Sequence, residues 1–281
     1  MPEHIKPYDN FNLPIVDEGN ALVPRCYLNV VRLGRGESFR YALGGYESVC
    51  VGASGTFDIT VGGEAFTKVG RRTHLFGGKP DSVYVPRGAE AILTAVEGAA
   101  VVFIAGGRCE VAGKPFRVSP EDVDTIQYGS DETKTHRKIL HILGQKHRDR
   151  TGRLLVSELF TVGAGGWSGF PPHKHAEDVE GVESAFEEVY HFAFNPANGF
   201  GAQFAYEHDD DFGPVHHIKT GSTILLDRGY HPVCAAPGYE MYYFTILVGK
   251  TATSLRQNFE KAHANQLETI PGMKDMIAGF K

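Results

Sequence analysis

Seven of the thirteen histidines fall between His173 and His231, so metal or proton chemistry is concentrated in that window. Pro171-Pro172-His173-Lys174-His175 places two imidazoles at i and i+2. Side chains repeat every two residues on a strand, so both rings would point to one face. Glu188 opens the run Glu-Val-Tyr-His-Phe, and His231 follows the Arg228-Gly229-Tyr230 turn. Three imidazoles and one carboxylate form a borderline-hard donor set. Zn²⁺ is the first expectation for such a set, with Mn²⁺, Fe²⁺, Ni²⁺ or Co²⁺ as alternatives. A plainer interpretation makes His173 and His175 a surface pair and His231 a loop residue. The downstream Glu188 and the Gly-x-His order, both in strand context, favour the metal.

The elements that must hold these residues read as β structure. Short runs rich in Val, Ile, Tyr and Phe recur every eight to twelve residues or so between Gly, Asp and Asn turns. They include Glu47–Val51, Thr56–Val61, Val83–Val85 and Ala100–Ile104 in the first half. The second half has Leu154–Thr161, Glu188–Phe194, Gln203–Tyr206, Ser222–Leu226 and Glu240–Val248. Helix signal is weak, with a turn at Ser119–Asp122 and one C-terminal helix over Ala252–Gln266. Many short strands with few helices mean a sandwich or a barrel. Tyr84–Glu90 resembles Leu225–His231, and Tyr46–Val49 resembles Glu187–Tyr190. Both matches share one offset, since 229 − 88 and 188 − 47 each give 141. A duplicated barrel follows, with one copy over 1–140, the other over 141–281, and a polar connection near Ser130–Arg150. The first copy has Glu47 and Glu90 at the equivalent positions but no HxH. It reads as a structural barrel without metal ligands.

Bulk properties narrow the class. A chain of 281 residues is about twice a common domain. The 34 glycines mark a turn-rich chain, and 42% hydrophobic residues can fill a sizeable core. A net charge of −6 argues against a nucleic-acid surface. No apolar run approaches the roughly 20 residues needed to span a bilayer, and Met1–Asn10 has no apolar signal core. Cys26, Cys50, Cys109 and Cys234 are scattered and read as reduced, mostly buried thiols in a cytoplasmic protein.

The order Gly166…His173-x-His175…Glu188…Gly199, then Gly221…Gly229-x-His231, resembles the two cupin motifs. Trp167–His175, Glu183–Tyr190, Asn195-Pro196, Gly229–Val233 and Ala236–Tyr243 resemble the 5-deoxy-glucuronate isomerase family of myo-inositol catabolism more specifically. The likeness is dense over about 150–250 and thinner over the first half. It implies an all-β bicupin with His173, His175, Glu188 and His231 as metal ligands. The implied reaction is aldose–ketose isomerisation of 5-deoxy-glucuronate to 5-dehydro-2-deoxy-gluconate. Asp227, the His216-His217 pair and the acidic run Asp209–Asp211 depart from the family pattern; Asp209–Asp211 reads as a solvated loop without the spaced oxygens Ca²⁺ wants.

Such a reaction needs a base, an electrophile for the developing enediolate oxygen, and a cation for the substrate carboxylate. Lys174 should point away from the metal by strand alternation, so Arg228 is the better anchor. His191, Tyr242, Tyr243 and Glu187 are the acid/base candidates, with Glu187 alternating out of the barrel. A uronate ketol-isomerase of pectin breakdown, an Fe²⁺-dependent cupin dioxygenase and a non-catalytic sugar-binding bicupin are the alternatives. The four-residue ligand set disfavours the last. A small deoxy uronic acid is the expected partner, on a homo-oligomer that binds neither nucleic acid nor membrane.

Overall fold

In a computed structural model, which describes residues 2–208 and 212–279, the chain is almost entirely β. Asp209–Asp211 lie outside the described residues. No helix among the described residues is long and apolar enough to cross a membrane. The chain divides into two compact units: Asp9–Asp124 with His141–Val156, and Met1–Tyr8 with Thr125–Leu140 and Ser157–Lys281.

The expected cut at 140/141 therefore falls in the wrong place, because each unit takes a segment from the other's half of the sequence. The expected polar connection is also more ordered than its composition suggests. Arg137–Leu143 forms a strand, and the residues after it have a structural task in the N-terminal unit. There Glu47 is fully buried, and its carboxylate accepts from the backbone N–H groups of Gly152 (2.7 Å), Arg153 (2.9 Å) and Leu154 (3.1 Å). The Tyr84 hydroxyl donates to it as well, at 2.8 Å. Four donors on two oxygens use the acceptor capacity of a carboxylate. Segment 152–154 is thereby tied to the unit.

The N-terminal unit has a six-stranded and a four-stranded sheet. Around Glu47 the order is Ser82–Val85, Tyr46–Ser54, Ala100–Arg108, Cys26–Leu33. The C-terminal unit repeats it as Thr223–Leu226, Phe186–Asn195, Glu240–Gly249, Leu154–Thr161, within a seven-stranded sheet that Arg137–Leu143 and Asp124–Tyr128 extend. Glu47 pairs with Gly107, and Glu188 pairs with Leu247. The two glutamates thus hold the same place in the two copies. A four-stranded sheet of Gly166–Ser168, Val233–Ala235, Phe200–Phe204 and Val215–Lys219 accompanies the larger one.

Alternation decides what enters the C-terminal core. Tyr190, Phe192 and Phe194 of one strand pack with Met241 and Tyr243 of its neighbour, and with Ile224, Leu226, Val233 and Ile139. Glu188 shares the parity of Tyr190 and so points into the same interior. The expected helix over Ala252–Gln266 is absent as such. Asn258–Phe259 instead forms a short strand against His173–Lys174, and the α-helices are Gln266–Thr269 and Met273–Gly279. Pairing with the HxH segment outweighs the helical propensity of this stretch.

Candidate metal centre

His173, His175 and His231 come together in the C-terminal interior, each no more than 6% exposed, with their ligand atoms within 4.8 Å of one another. Each ring is held by its Nδ1. That of His231 donates to the Gly229 carbonyl at 2.9 Å. Those of His173 and His175 face the carbonyls of Pro171 and Phe186, both at 3.4 Å. With Nδ1 carrying the proton, every Nε2 presents a lone pair to the centre, the tautomer metal-binding histidines use. His231 Nε2 is buried without a hydrogen-bond partner.

The Glu188 carboxylate stands against two of these rings. Its Oε2 lies 3.0 Å from His175 Nε2 and 3.4 Å from His231 Nε2. Two ligands bound at about 2.1 Å stand roughly 3.0 Å apart at a right angle and roughly 3.4 Å apart at a tetrahedral angle. The Glu188 oxygen thus stands from His175 and His231 at the spacing that two ligands of one ion have. Gln257 Nε2 lies 2.8 Å from His173 Nε2, a contact that an arriving cation would replace.

Local sequence explains the placement. His231 follows a turn in which Gly229 has φ +83°, and a Cβ there would stand 2.6 Å from the Tyr206 carbonyl oxygen. Only glycine meets both demands. After His175 the chain loops away, and the Glu183 carboxylate gathers the loop. It accepts from the N–H groups of Ala176 (2.5 Å) and Glu177 (3.1 Å) and from Asn258 Nδ2 (2.9 Å). Asn258 is adjacent to Gln257, so the C-terminal strand and the HxH segment are locked together.

Electrostatics keep the imidazoles available. Burial drives the pKa of His231 down to about 4, with His175 adding to the effect. Burial, helped by His231, His175 and Arg137, holds His173 well below the usual value. Burial also opposes a charge on His175, yet the hydrogen bond and charge of Glu188 leave its pKa raised. Two of the three rings are therefore neutral at pH 7 without a metal.

The remaining expected residues lie elsewhere. His191 and Tyr242 have the opposite parity to Glu188 and Tyr243 and sit on the other face of their sheet. There His191 Nδ1 meets Thr223 Oγ1 at 2.8 Å, and the Tyr242 hydroxyl donates to Glu158 at 2.9 Å. Glu187 also faces away from the cluster but is buried. Arg228 has a side chain 54% exposed, pairs with Asp227 at 2.8 Å, and is not in the cluster. Period-2 alternation from Glu188 is the signal that separates Tyr190 from His191.

The interior holds two tyrosines instead. The Tyr190 ring lies 6.1 Å from that of His231 and 4.8 Å from that of Tyr243. The Tyr243 hydroxyl is hydrogen-bonded to Ser168 Oγ. Burial raises both pKa values, that of Tyr243 to about 12 and that of Tyr190 well above the usual phenol, where Glu188 adds its charge. At neutral pH both are hydroxyl donors.

Residues 10–266 match the KduI/IolB family. The chain belongs to that family. Among its relatives, a 5-deoxy-glucuronate isomerase of Geobacillus kaustophilus is 34% identical over 79% of this chain and 78% of its own. One of Shouchella clausii is 32% identical over 75% and 76%. The crystal structure of an IolB-like protein from Salmonella typhimurium matches with a TM-score of 0.79 at 28% identity, covering 85% of this chain and 89% of that one. An oxalate decarboxylase of Bacillus subtilis, 10% identical, shares the fold with a TM-score of 0.60 over 95% and 81% of the two chains. KduI/IolB membership and these likenesses agree with a bicupin.

Proposed function

We propose that the chain is a 5-deoxy-glucuronate isomerase that works through a divalent ion held by His173, His175, Glu188 and His231. One observation carries this reading. Three buried imidazoles lie together, with the Glu188 carboxylate against two of them, inside a KduI/IolB chain whose relatives bear that name. When bound, the ion supplies a Lewis acid for the substrate's carbonyl and adjacent hydroxyl.

The chain's own residues do the rest. The backbone carbonyls of Gly229, Pro171 and Phe186 hold the three rings in the ligand tautomer. The Tyr190 hydroxyl, kept protonated by burial, donates to the Glu188 carboxylate and so orients it, while the protonated Tyr243 hydroxyl stands at the same centre as a donor for a substrate oxygen. A buried interior limits water around the developing enediolate and so protects it from side reactions. Moving a proton between adjacent carbons changes no oxidation state of the molecule as a whole, so a closed-shell ion such as Zn²⁺ suffices.

The test is anaerobic turnover of 5-deoxy-glucuronate on Zn²⁺-loaded protein. The ketose product should form at the same rate with and without air. A reaction that starts only when Fe²⁺ and O₂ are added would assign the site to oxygen chemistry instead.

A further inference from the structure

We propose that Arg137 is the substrate-carboxylate anchor of this site, a charged binding group inside the barrel that receives the acid end of a sugar acid. The inference rests on the isomerase reading for the substrate class but not for the anion site itself. Arg137 opens the strand Arg137–Leu143 and shares the parity of Ile139, whose side chain lies in the C-terminal core with Tyr190 and Tyr243. Its side chain therefore enters the interior that holds the histidines. It is 5% exposed, and its guanidinium carbon lies 5.1 Å from the centroid of the Tyr128 ring.

The groups that act most strongly on it are uncharged phenols. Its neighbours are the tyrosines Tyr128, Tyr190 and Tyr243, and the Tyr243 hydroxyl oxygen accepts from it. Its charge also bears on His173. Arg137 Nε is buried and meets no acceptor. Among the described residues no Asp or Glu forms an ion pair with it, and the carboxylate beside the cluster, Glu188, is engaged by His175, His231 and the Tyr190 hydroxyl.

A guanidinium cannot shed its proton at any accessible pH. Burying it without a counter-ion is strongly unfavourable, and a ring face and neutral hydroxyls recover only part of that cost. The tyrosines cannot supply the missing charge, since burial raises the pKa of each. The site is thus built one negative charge short, beside a centre that binds sugar oxygens. A substrate carboxylate provides that charge and matches the planar fork with two parallel hydrogen bonds. Arg228, exposed and already paired with Asp227, offers no comparable pocket.

The test compares Arg137→Met and Arg137→Lys with wild type, all metal-loaded, by calorimetric binding of glucuronate and of glucose, which differ only in the acid group. Wild type should prefer the acid. Arg137→Met should weaken glucuronate by about 10- to 100-fold and leave glucose unchanged. Arg137→Lys should fall between, because it keeps the charge and loses the fork. Without ligand, Arg137→Met should melt higher than wild type, since an uncompensated charge has been removed; a purely structural arginine would give a lower Tm. If the methionine variant does not fold, the lysine variant decides alone. Unchanged preference for the acid, or equal losses for acid and neutral sugar, would overturn the proposal. An Arg137-dependent acid preference without isomerisation in wild type would leave the anchor standing and refute the isomerase. Normal turnover with an Arg137-independent preference would do the reverse.

Discussion

Glu47 and Glu188 occupy the same position in two copies of one fold, and the same substitution should affect them in opposite ways. In Glu47→Gln, one oxygen becomes an NH₂ group that faces two of the four donors from Gly152, Arg153, Leu154 and Tyr84. Hydrogen bonds to a charged group contribute about 1.5–3 kcal/mol each, and two of them are lost. Burial already raises the Glu47 pKa, with the backbone N–H groups and Tyr84 pulling it back only in part, so some of the loss is offset by a cheaper side chain to bury. The net cost should be about 2–4 kcal/mol, or a Tm lower by roughly 5–12 °C. Metal content should not change. Glu188→Gln should instead lower metal affinity at least about tenfold, since it removes the one negative charge among the four expected donors. Urea denaturation and elemental analysis of both variants decide the matter. A Glu47→Gln variant within about 0.5 kcal/mol of wild type would refute the structural role given to this carboxylate.

Gly152→Ala should destabilise by about 1–3 kcal/mol in the same urea assay, because a Cβ there would stand 2.6 Å from Cys109 Sγ and 2.7 Å from Glu47 Oε1. The metal-free protein should lose stability on mild acidification. The folded pKa of His231, about 4, lies below its unfolded value of 6.5. The unfolded chain therefore takes up its proton first, and a contribution of about 3 kcal/mol, present above pH 6.5, fades as pH falls towards 4. A flat urea midpoint across that window, measured after chelation, would contradict this. Arg228→Ala should change KM for the sugar acid by less than about twofold, read from initial rates, because its guanidinium is exposed and engaged by Asp227.

That His173, His175 and His231 come together was legible because the signal is local. His173 and His175 are two residues apart, and Gly229 fixes the turn before His231. The repeat was legible for the same reason, since Glu47 and Glu188 carry matched neighbours. What could not be read depends on distant partners. Nothing around Gly152 announces that its N–H group will satisfy Glu47, 105 positions earlier, so the unit boundary was misplaced. Gln257 and Phe259 belong to the centre through two residues of strand pairing with His173, too short for any periodicity to reveal. Arg137 lies in a polar stretch where arginines are ordinarily solvated, and only the parity it shares with Ile139 turns it inward. His191 and Tyr242 have suitable chemistry, but strand alternation puts them on the wrong face.

The central claim is that one divalent ion sits on four particular residues. Anomalous diffraction at the absorption edge of the loaded metal tests it most directly. The account predicts a single strong peak bonded to the Nε2 atoms of His173, His175 and His231 and to the Glu188 carboxylate, at about 2.0–2.2 Å. A crystal of fully loaded protein with no peak there, or with its peak in the N-terminal unit near Glu47, would contradict it.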